Sequence, residues 1–357
     1  MTHLLLLGCI ADDFTGATDL ANNLVRAGMR ALQTIGIPTE PLRSDVDVVV
    51  IALKSRTIPV ADAVAQSLAA LHWLQAQGAQ QIYFKYCSTF DSTSVGNIGP
   101  VTEALMQAMG TDFTIATPAF PDNGRTVFKG HLFVGDVLLN ESGMQHHPLT
   151  PMTDPNLVRV MQSQCASAVG LIDFKTVAQG ESAIRARIDV LKSEGCRIAV
   201  VDALSNEDLL RLGPALRDMP LLTAGSGVAI GLPANFGLQP TPTTSALPPK
   251  QGRQAVIAGS CSTATQKQVA HFKAQGLPTL ALDPIRLVQD DAAHAAVVSE
   301  ALAWAKSHLT LSAEINGPVL IYSTASPESV KATQAQYGVH MVGDRVERAL
   351  ALSLIHI

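Results

Sequence analysis

Short, almost unbroken apolar runs that alternate with helix-length stretches constrain this chain more than any other feature. The runs fall at residues 4–10, 46–53, 81–86, 113–117, 168–172, 198–201 and 221–223. Between the second and third, residues 61–77 place Val64, Leu68, Leu71 and Leu74 on one stripe at helical spacing, and 101–109 and 182–193 repeat that pattern. A strand apolar at nearly every position is buried on both faces, and parallel neighbours need a crossover helix between them. The expected fold is therefore α/β, with two domains, each a mostly parallel sheet flanked by helices. Length supports the count, since 357 residues at 47% hydrophobic and 15% charged can bury two cores. Residues 233–254 carry Pro233, Pro240, Pro242, Pro248 and Pro249 among Thr, Ser and Gly, which reads as a linker. The expected division is 1–232, a linker over 233–254, and 255–357, where 255–259 and 318–323 read as new strands.

A net charge of −5 argues against nucleic acid or an anionic membrane as partner. An anionic substrate must then be held by local cations. The five cysteines are scattered and form no CxxC, which suits a reducing compartment and neither a disulfide nor a zinc framework. No apolar stretch reaches the roughly 18 residues of a membrane span. Leu6-Leu7-Gly8-Cys9 resembles a lipoprotein cleavage site, but no Lys or Arg precedes it, so it reads as a buried strand and the protein as cytoplasmic.

Chemistry concentrates where strands end. The first run stops at Asp12-Asp13, ahead of a helix opening with Phe14-Thr15-Gly16. Carboxylates past the carboxyl end of a buried strand sit where open α/β sheets bind ligands. One of them could instead cap the helix, but a cap needs only one acid. After the third run, Lys85, Ser88, Thr89, Asp91 and Ser92 offer a cation and short donors suited to a small hydroxy acid; a solvated loop is the plain alternative. Asn123-Gly124-Arg125 follows the fourth run and reads either as a rigid loop presenting Arg125 to a carboxylate or as a hairpin turn. His146-His147 fits no familiar metal spacing, so no metal site is assigned, and His147 is better placed as a substrate contact. Ala224-Gly225-Ser226-Gly227 reads as an anion nest or as close packing. In the second domain, Gly259-Ser260-Cys261-Ser262 and Ser323-Thr324 each follow a strand and precede a helix, a geometry suited to phosphate.

The segments IADDFTGATD, IYFKYCSTFDST, GNIGPVT, NGRTV, ESGMQHHP, PMTD, GSG and GSCS occur in order, and with them the chain resembles the four-carbon acid sugar kinase family. The resemblance implies an N-terminal sugar-acid-binding domain and a C-terminal nucleotide-binding domain. It implies ATP-dependent phosphorylation, with Mg²⁺, of the terminal C4 hydroxyl of a 3-oxo-tetronate, with D-threonate or D-erythronate as alternative acceptors. Carried onto this sequence, it puts Ser260 against ATP, and Asp12 and Asp13 in the acceptor cleft with Lys85, Asp91 and Arg125. The expected site is then Asp12, Asp13 and Arg125 for catalysis, with Asp12 orienting or deprotonating the hydroxyl and Asp13 holding substrate or Mg²⁺. Lys85, Ser88, Thr89, Asp91, Ser92, Asn123 and His147 would bind the acceptor, and Gly259, Ser260, Ser262 and Thr324 the nucleotide. Relatives carry a further glycine-rich segment, so an end at Ser353-Leu354-Ile355-His356-Ile357 is expected to be a truncation that leaves the nucleotide-binding domain incomplete. Two rival functions follow: an inactive sugar-acid-binding remnant, and a lyase using Lys85 as a Schiff base. A homo-oligomer is compatible with all of these.

Overall fold

The computed structural model describes residues 5–42, 45–147, 150–240, 252–310 and 317–355. It divides into two compact units, Met1–Ala246 and Leu247–Ile357.

The first unit is built on β1 (Leu7–Ala11), β2 (Ala31–Ile35), β3 (Val48–Ala52), β4 (Gln81–Lys85) and β5 (Thr114–Thr117), followed by β6 (Arg125–Phe128), β7 (His131–Val134), β8 (Val137–Leu138), β9 (Ala168–Ile172), β10 (Cys196–Val201) and β11 (Leu221–Ala224). Eight of these form one sheet in the order β2-β3-β1-β4-β11-β5-β10-β9. Every pairing in it is parallel. Strands β1, β3, β4, β5 and β11 are buried at every residue, which is why their sequences lack alternation. The chain runs from β1 to β2 and β3 on one side, then crosses to β4 on the other. That reversal makes the carboxyl ends of β1, β3 and β4 the place for a ligand crevice.

Two features depart from the sequence reading. Edge strand β2 is half-exposed and contains Gln33 and Thr34, so no apolar run announced it. Strands β6, β7 and β8 form a small antiparallel sheet. It opens at Asn123-Gly124, where Phe120 and Arg125 exchange backbone hydrogen bonds of 2.8 and 3.0 Å and Gly124 takes φ 67°, so of the two readings the hairpin-type closure is the one adopted. The β6–β7 turn is pinned from below. Buried Asp202 accepts the backbone N–H groups of Lys129 (2.7 Å), Gly130 (2.8 Å) and Phe174 (2.9 Å).

The expected linker also begins later than Pro233. Pro233–Phe236 forms a short 3₁₀ helix with Pro233 buried, and Asn235 Nδ2 donates to Gly213 O at 2.8 Å, because burying that turn against the helix Asn206–Ala215 outweighs the proline signal. Residues 241–251 of that stretch lie outside the described residues, as does residue 4 of the first expected strand.

The second unit holds β12 (Ala255–Ala258), β13 (Thr279–Ala281) and β14 (Val319–Tyr322), all parallel, with β14 central. The helices Thr263–Ala274, Pro284–Gln289, Asp291–Thr310, Pro327–Tyr337 and Val339–Ile355 accompany it. Its core includes Leu287, Val297, Ala301, Ile321 and Ala349.

Candidate active site

Backbone hydrogen bonding assembles the acidic end of β1. Asp12 N donates to Lys85 O at 3.0 Å, and Asp12 O accepts from Ser55 N (3.0 Å) and Arg56 N (3.2 Å). The loop leaving β3 is thereby folded onto the end of β1. Asn97 Nδ2 fixes that loop from outside by donating to the carbonyls of Ser55, Arg56 and Ile58 at 2.8, 3.2 and 2.9 Å. Asp13 caps the helix Phe14–Arg26, with Oδ1 accepting from Gly16 N at 2.9 Å. Capping therefore explains one acid of the pair and leaves Asp12 for something else.

That something is Arg56. Its Nε and Nη2 donate to Asp12 Oδ2 and Oδ1, both at 2.9 Å, a two-pronged pair. Nη2 also lies 2.8 Å from Asp13 Oδ1, and Nη1 lies 3.5 Å from Asp91 Oδ2. Burial raises the Asp12 carboxyl pKa, and the charges of Arg56 and Lys85 pull only part of it back. For Arg56, burial disfavours the charge, but the facing carboxylates outweigh it and the guanidinium stays protonated. Lys85, also buried, donates to Tyr86 O at 2.7 Å, and its Nζ crowds the Cα of Gly16 beside Asp13 Oδ1. A Cβ on Gly16 would overlap Asp13 Oδ1 and stand 2.6 Å from Lys85 Nζ.

The loop after β4 forms the next wall. Cys87 Sγ and Thr89 Oγ1 are 2.8 Å apart, and Thr89 Oγ1 donates to Asp91 Oδ1 at 2.5 Å, which aims the other Asp91 oxygen at Arg56. Burial pushes the Cys87 thiol up to about 11. Phe90 holds a left-handed φ of 51°, a strained state for a bulky side chain, kept in place by edge-on packing against Tyr86. Ser92 Oγ accepts from Gln164 Nε2 at 2.6 Å. Ser88 is half-buried in the same turn. His147 lies within the electrostatic reach of both Asp91 and Arg56. Its Nδ1 accepts the Thr150 N–H at 3.0 Å, and burial lowers its pKa, so it is neutral with the hydrogen on Nε2. A cleft of about 370 Å³ opens beside this wall, lined by Phe90, Ser92, Thr93, Met152, Asp154 and Arg159 among others; Asp12, Arg56 and Lys85 are not in its lining.

The structure thus gathers Asp12, Asp13, Lys85, Thr89, Asp91 and His147 around Arg56. Arg125 and Asn123 lie on the loop leaving β5, three strands along from β1, and no hydrogen bond or ion pair joins them to this cluster among the described residues. Asn123 is exposed, its carbonyl accepts from Arg125 Nη1, and Arg125 Nε is buried with no hydrogen-bond partner among the described residues. Sequence reading missed Arg56 and Asn97. The signal for Arg56 was present, because Lys54-Ser55-Arg56 follows an apolar run as Asp12 does. Gly225-Ser226-Gly227 is close packing: a Cβ on Gly225 would come within 2.9 Å of Pro118 O, and one on Gly227 would overlap Ala119 O. Ser226 is tied to Asp19 and Asn23 of the first helix.

In the second unit, the turns after β12 and β14 lie side by side, with Ala325 N donating to Cys261 Sγ at 3.5 Å. Ser262 caps the helix Thr263–Ala274, and Ser260 Oγ accepts the Ser262 N–H at 3.2 Å. A Cβ on Gly259 would stand 3.0 Å from Leu350 Cδ1 and 3.7 Å from Ser323 Oγ, so the glycine lets the last helix close against these turns. Ser323 Oγ and Thr324 Oγ1 are buried without a hydrogen-bond partner among the described residues. Unsatisfied hydroxyls at paired strand ends, beside a helix N-terminus, fit a phosphate-bearing ligand. The Asp12–Asp13 pair fits Mg²⁺ poorly, because three of its four oxygens are already engaged by Arg56.

A sugar-binding N-terminal domain model matches residues 7–232 and a nucleotide-binding C-terminal domain model matches 255–356. The chain is 57% identical over 350 residues to a 3-oxo-tetronate kinase of Burkholderia multivorans, covering 97% of this chain and 79% of that protein. It is 56% identical over 358 residues to a 3-oxo-tetronate kinase of Cupriavidus necator, covering 98% and 80%. Among solved structures, a Salmonella typhimurium LT2 protein described under the provisional name tRNA synthase superimposes with TM-score 0.81 at 46% identity, over 98% of this chain and 82% of that one. A Bordetella bronchiseptica domain of unknown function, crystallised as a domain-swapped dimer with bound citrate, gives TM-score 0.55 at 26% identity, over 98% and 80%.

Proposed function

Because the chain belongs to the four-carbon acid sugar kinase family, we propose that it transfers the γ-phosphoryl group of ATP to the C4 hydroxyl of a 3-oxo-tetronate. The observation that carries the reading is the cluster at the ends of β1, β3 and β4, where Asp12, Asp13, Asp91, Lys85 and Arg56 meet in a unit matched by a sugar-binding domain. Asp13 Oδ2, the oxygen of the pair that Arg56 leaves free, accepts a hydrogen bond from a hydroxyl of a small sugar acid, and Lys85 and His147 Nε2 supply donors for its carboxylate and oxo group. Arg125 belongs to the same proposal, since its unpartnered Nε is suited to a carboxylate oxygen. In the second unit, Gly259, Ser260, Ser262 and Thr324 would hold the nucleotide. When bound, ATP supplies the phosphoryl group and an ADP leaving group. Mg²⁺ is assigned to the phosphates of the nucleotide rather than to the acidic pair. The named relatives do not favour D-threonate, D-erythronate or an inactive remnant. The family's dimeric member and the absence, among the described residues, of any helix able to cross a membrane support a homo-oligomer working in the cytoplasm.

The test is a coupled ADP-release assay across a panel of four-carbon acids, with phosphorus NMR locating the product phosphate. Turnover fastest on the 3-oxo acid, with phosphate on C4, is the expected result. Phosphate on another atom, or no ADP release with any member of the panel, would overturn the reading.

A further inference from the structure

We infer that Asp13, through Oδ2, takes the proton of the acceptor hydroxyl, whereas Asp12 is a positioning residue that acts through Arg56. The inference rests on the kinase reading above and divides an acidic pair that sequence treats as equivalent.

The two carboxylates differ in what remains free. Both Asp12 oxygens are hydrogen-bonded by one guanidinium, and the side chain is only 6% exposed. Protonating Asp12 would break a buried two-pronged pair and leave Arg56 facing a neutral group. Asp13 places all of its fixed contacts on Oδ1, which accepts the Gly16 N–H and pairs with Arg56 Nη2. Its Oδ2 accepts no hydrogen bond among the described residues, and the side chain is 28% exposed. Asp13 is therefore locked in direction by a helix N-terminus and a guanidinium while one oxygen faces outward. A proton can arrive there without dismantling either contact. The surrounding charges are Arg56 from the β3 exit, Lys85 from the end of β4 and Asp12 from its own strand, with Asp91 and His147 on the far side of Arg56.

The step balances with ATP as donor. The C4 O–H bond breaks and its proton passes to Asp13 Oδ2. The alcohol oxygen forms a bond to the γ-phosphorus, and the bond from that phosphorus to the bridging oxygen breaks with its electrons remaining on ADP. Asp13 then returns the proton to water.

Asp13→Asn and Asp12→Asn separate the roles in the full chain, because Asn also caps helices and should leave the Asp13 variant folded. For Asp13→Asn, kcat should fall about 10³-fold, KM should change less than about threefold, and the acidic limb of the kcat/KM profile should vanish. For Asp12→Asn, the acidic limb should persist while the melting temperature falls and KM rises. Retention of the acidic limb in Asp13→Asn with kcat within tenfold of wild type would overturn the inference, as would loss of that limb in Asp12→Asn alone. A wild-type chain that shows no ADP release on any four-carbon acid would overturn the kinase reading itself. Product formation by wild type with the limb carried by Asp12 would leave the kinase reading standing and remove only the assignment to Asp13.

Discussion

Replacing Arg56 by Met isolates the contribution of the guanidinium at the centre of the site. The side chain is 20% exposed, and it separates Asp12 at 6% and Asp91 at 8% exposed, with Asp13 as third partner. Met approximates the aliphatic length, so the packing loss is small and the main effect is electrostatic. Removing one partner of a buried ion pair costs about 3–5 kcal/mol, because the remaining charge has lost its compensation. For a unit of this size, each kcal/mol moves the melting temperature by roughly 2–4 °C, so the expected fall at pH 7 is about 6–20 °C. The pH dependence has a definite sign. The folded-state pKa of Asp12 is raised above its unfolded value by burial, so its contribution to stability is complete at low pH and is lost as pH rises through the folded pKa. Arg56 is what restrains that rise. Without it the folded pKa climbs further, and the loss extends to higher pH. The gap between wild type and Arg56→Met should therefore be widest at pH 8 and shrink toward pH 5, where Asp12, its pKa raised further, can protonate. Differential scanning calorimetry at the two pH values reads this directly. A fall under about 3 °C at pH 7, or a gap that widens toward pH 5, would refute the reasoning. Arg56→Lys should recover only part of the loss, since an ammonium cannot bridge both Asp12 oxygens in the plane that the guanidinium uses.

Asp202→Ala should destabilise the first unit by about 3 kcal/mol or more, because two backbone donors of the β6–β7 turn and that of Phe174 lose a buried acceptor; urea unfolding checks it, and a change below about 1 kcal/mol would show that water replaces the carboxylate. Gly16→Ala should lower kcat/KM at least about tenfold and lower the melting temperature by a few degrees, since the new methyl displaces Lys85 Nζ and the capping Asp13 Oδ1; kinetics and calorimetry check it, and unchanged kcat/KM would contradict it. With its pKa pushed up to about 11, the Cys87 thiol should be almost wholly protonated at pH 8 and alkylate far more slowly than a free cysteine, which peptide mass spectrometry after timed iodoacetamide treatment can measure; labelling at the free-cysteine rate would contradict it. Thr324→Val should raise KM for ATP severalfold and leave KM for the acceptor unchanged, and equal effects on both would remove Thr324 from the nucleotide site.

The sequence by itself determined the parallel architecture. Runs such as Val48-Val49-Val50-Ile51 have no polar face to offer water, so they must be interior strands, and interior parallel strands require crossover helices. It also determined that strand ends would carry the chemistry, since Asp12, Asp13 and Lys85 stand where apolar runs stop. It could not indicate β2, whose Gln33 and Thr34 are tolerated only at an edge, nor the antiparallel sheet, whose placement depends on Asp202 more than seventy residues away. Above all it could not separate Asp12 from Asp13. Adjacent in the chain and identical in chemistry, they are distinguished by partners brought in from β3 and β4, and only the order of strands in the sheet decides that one acid is saturated by Arg56 while the other keeps an oxygen free.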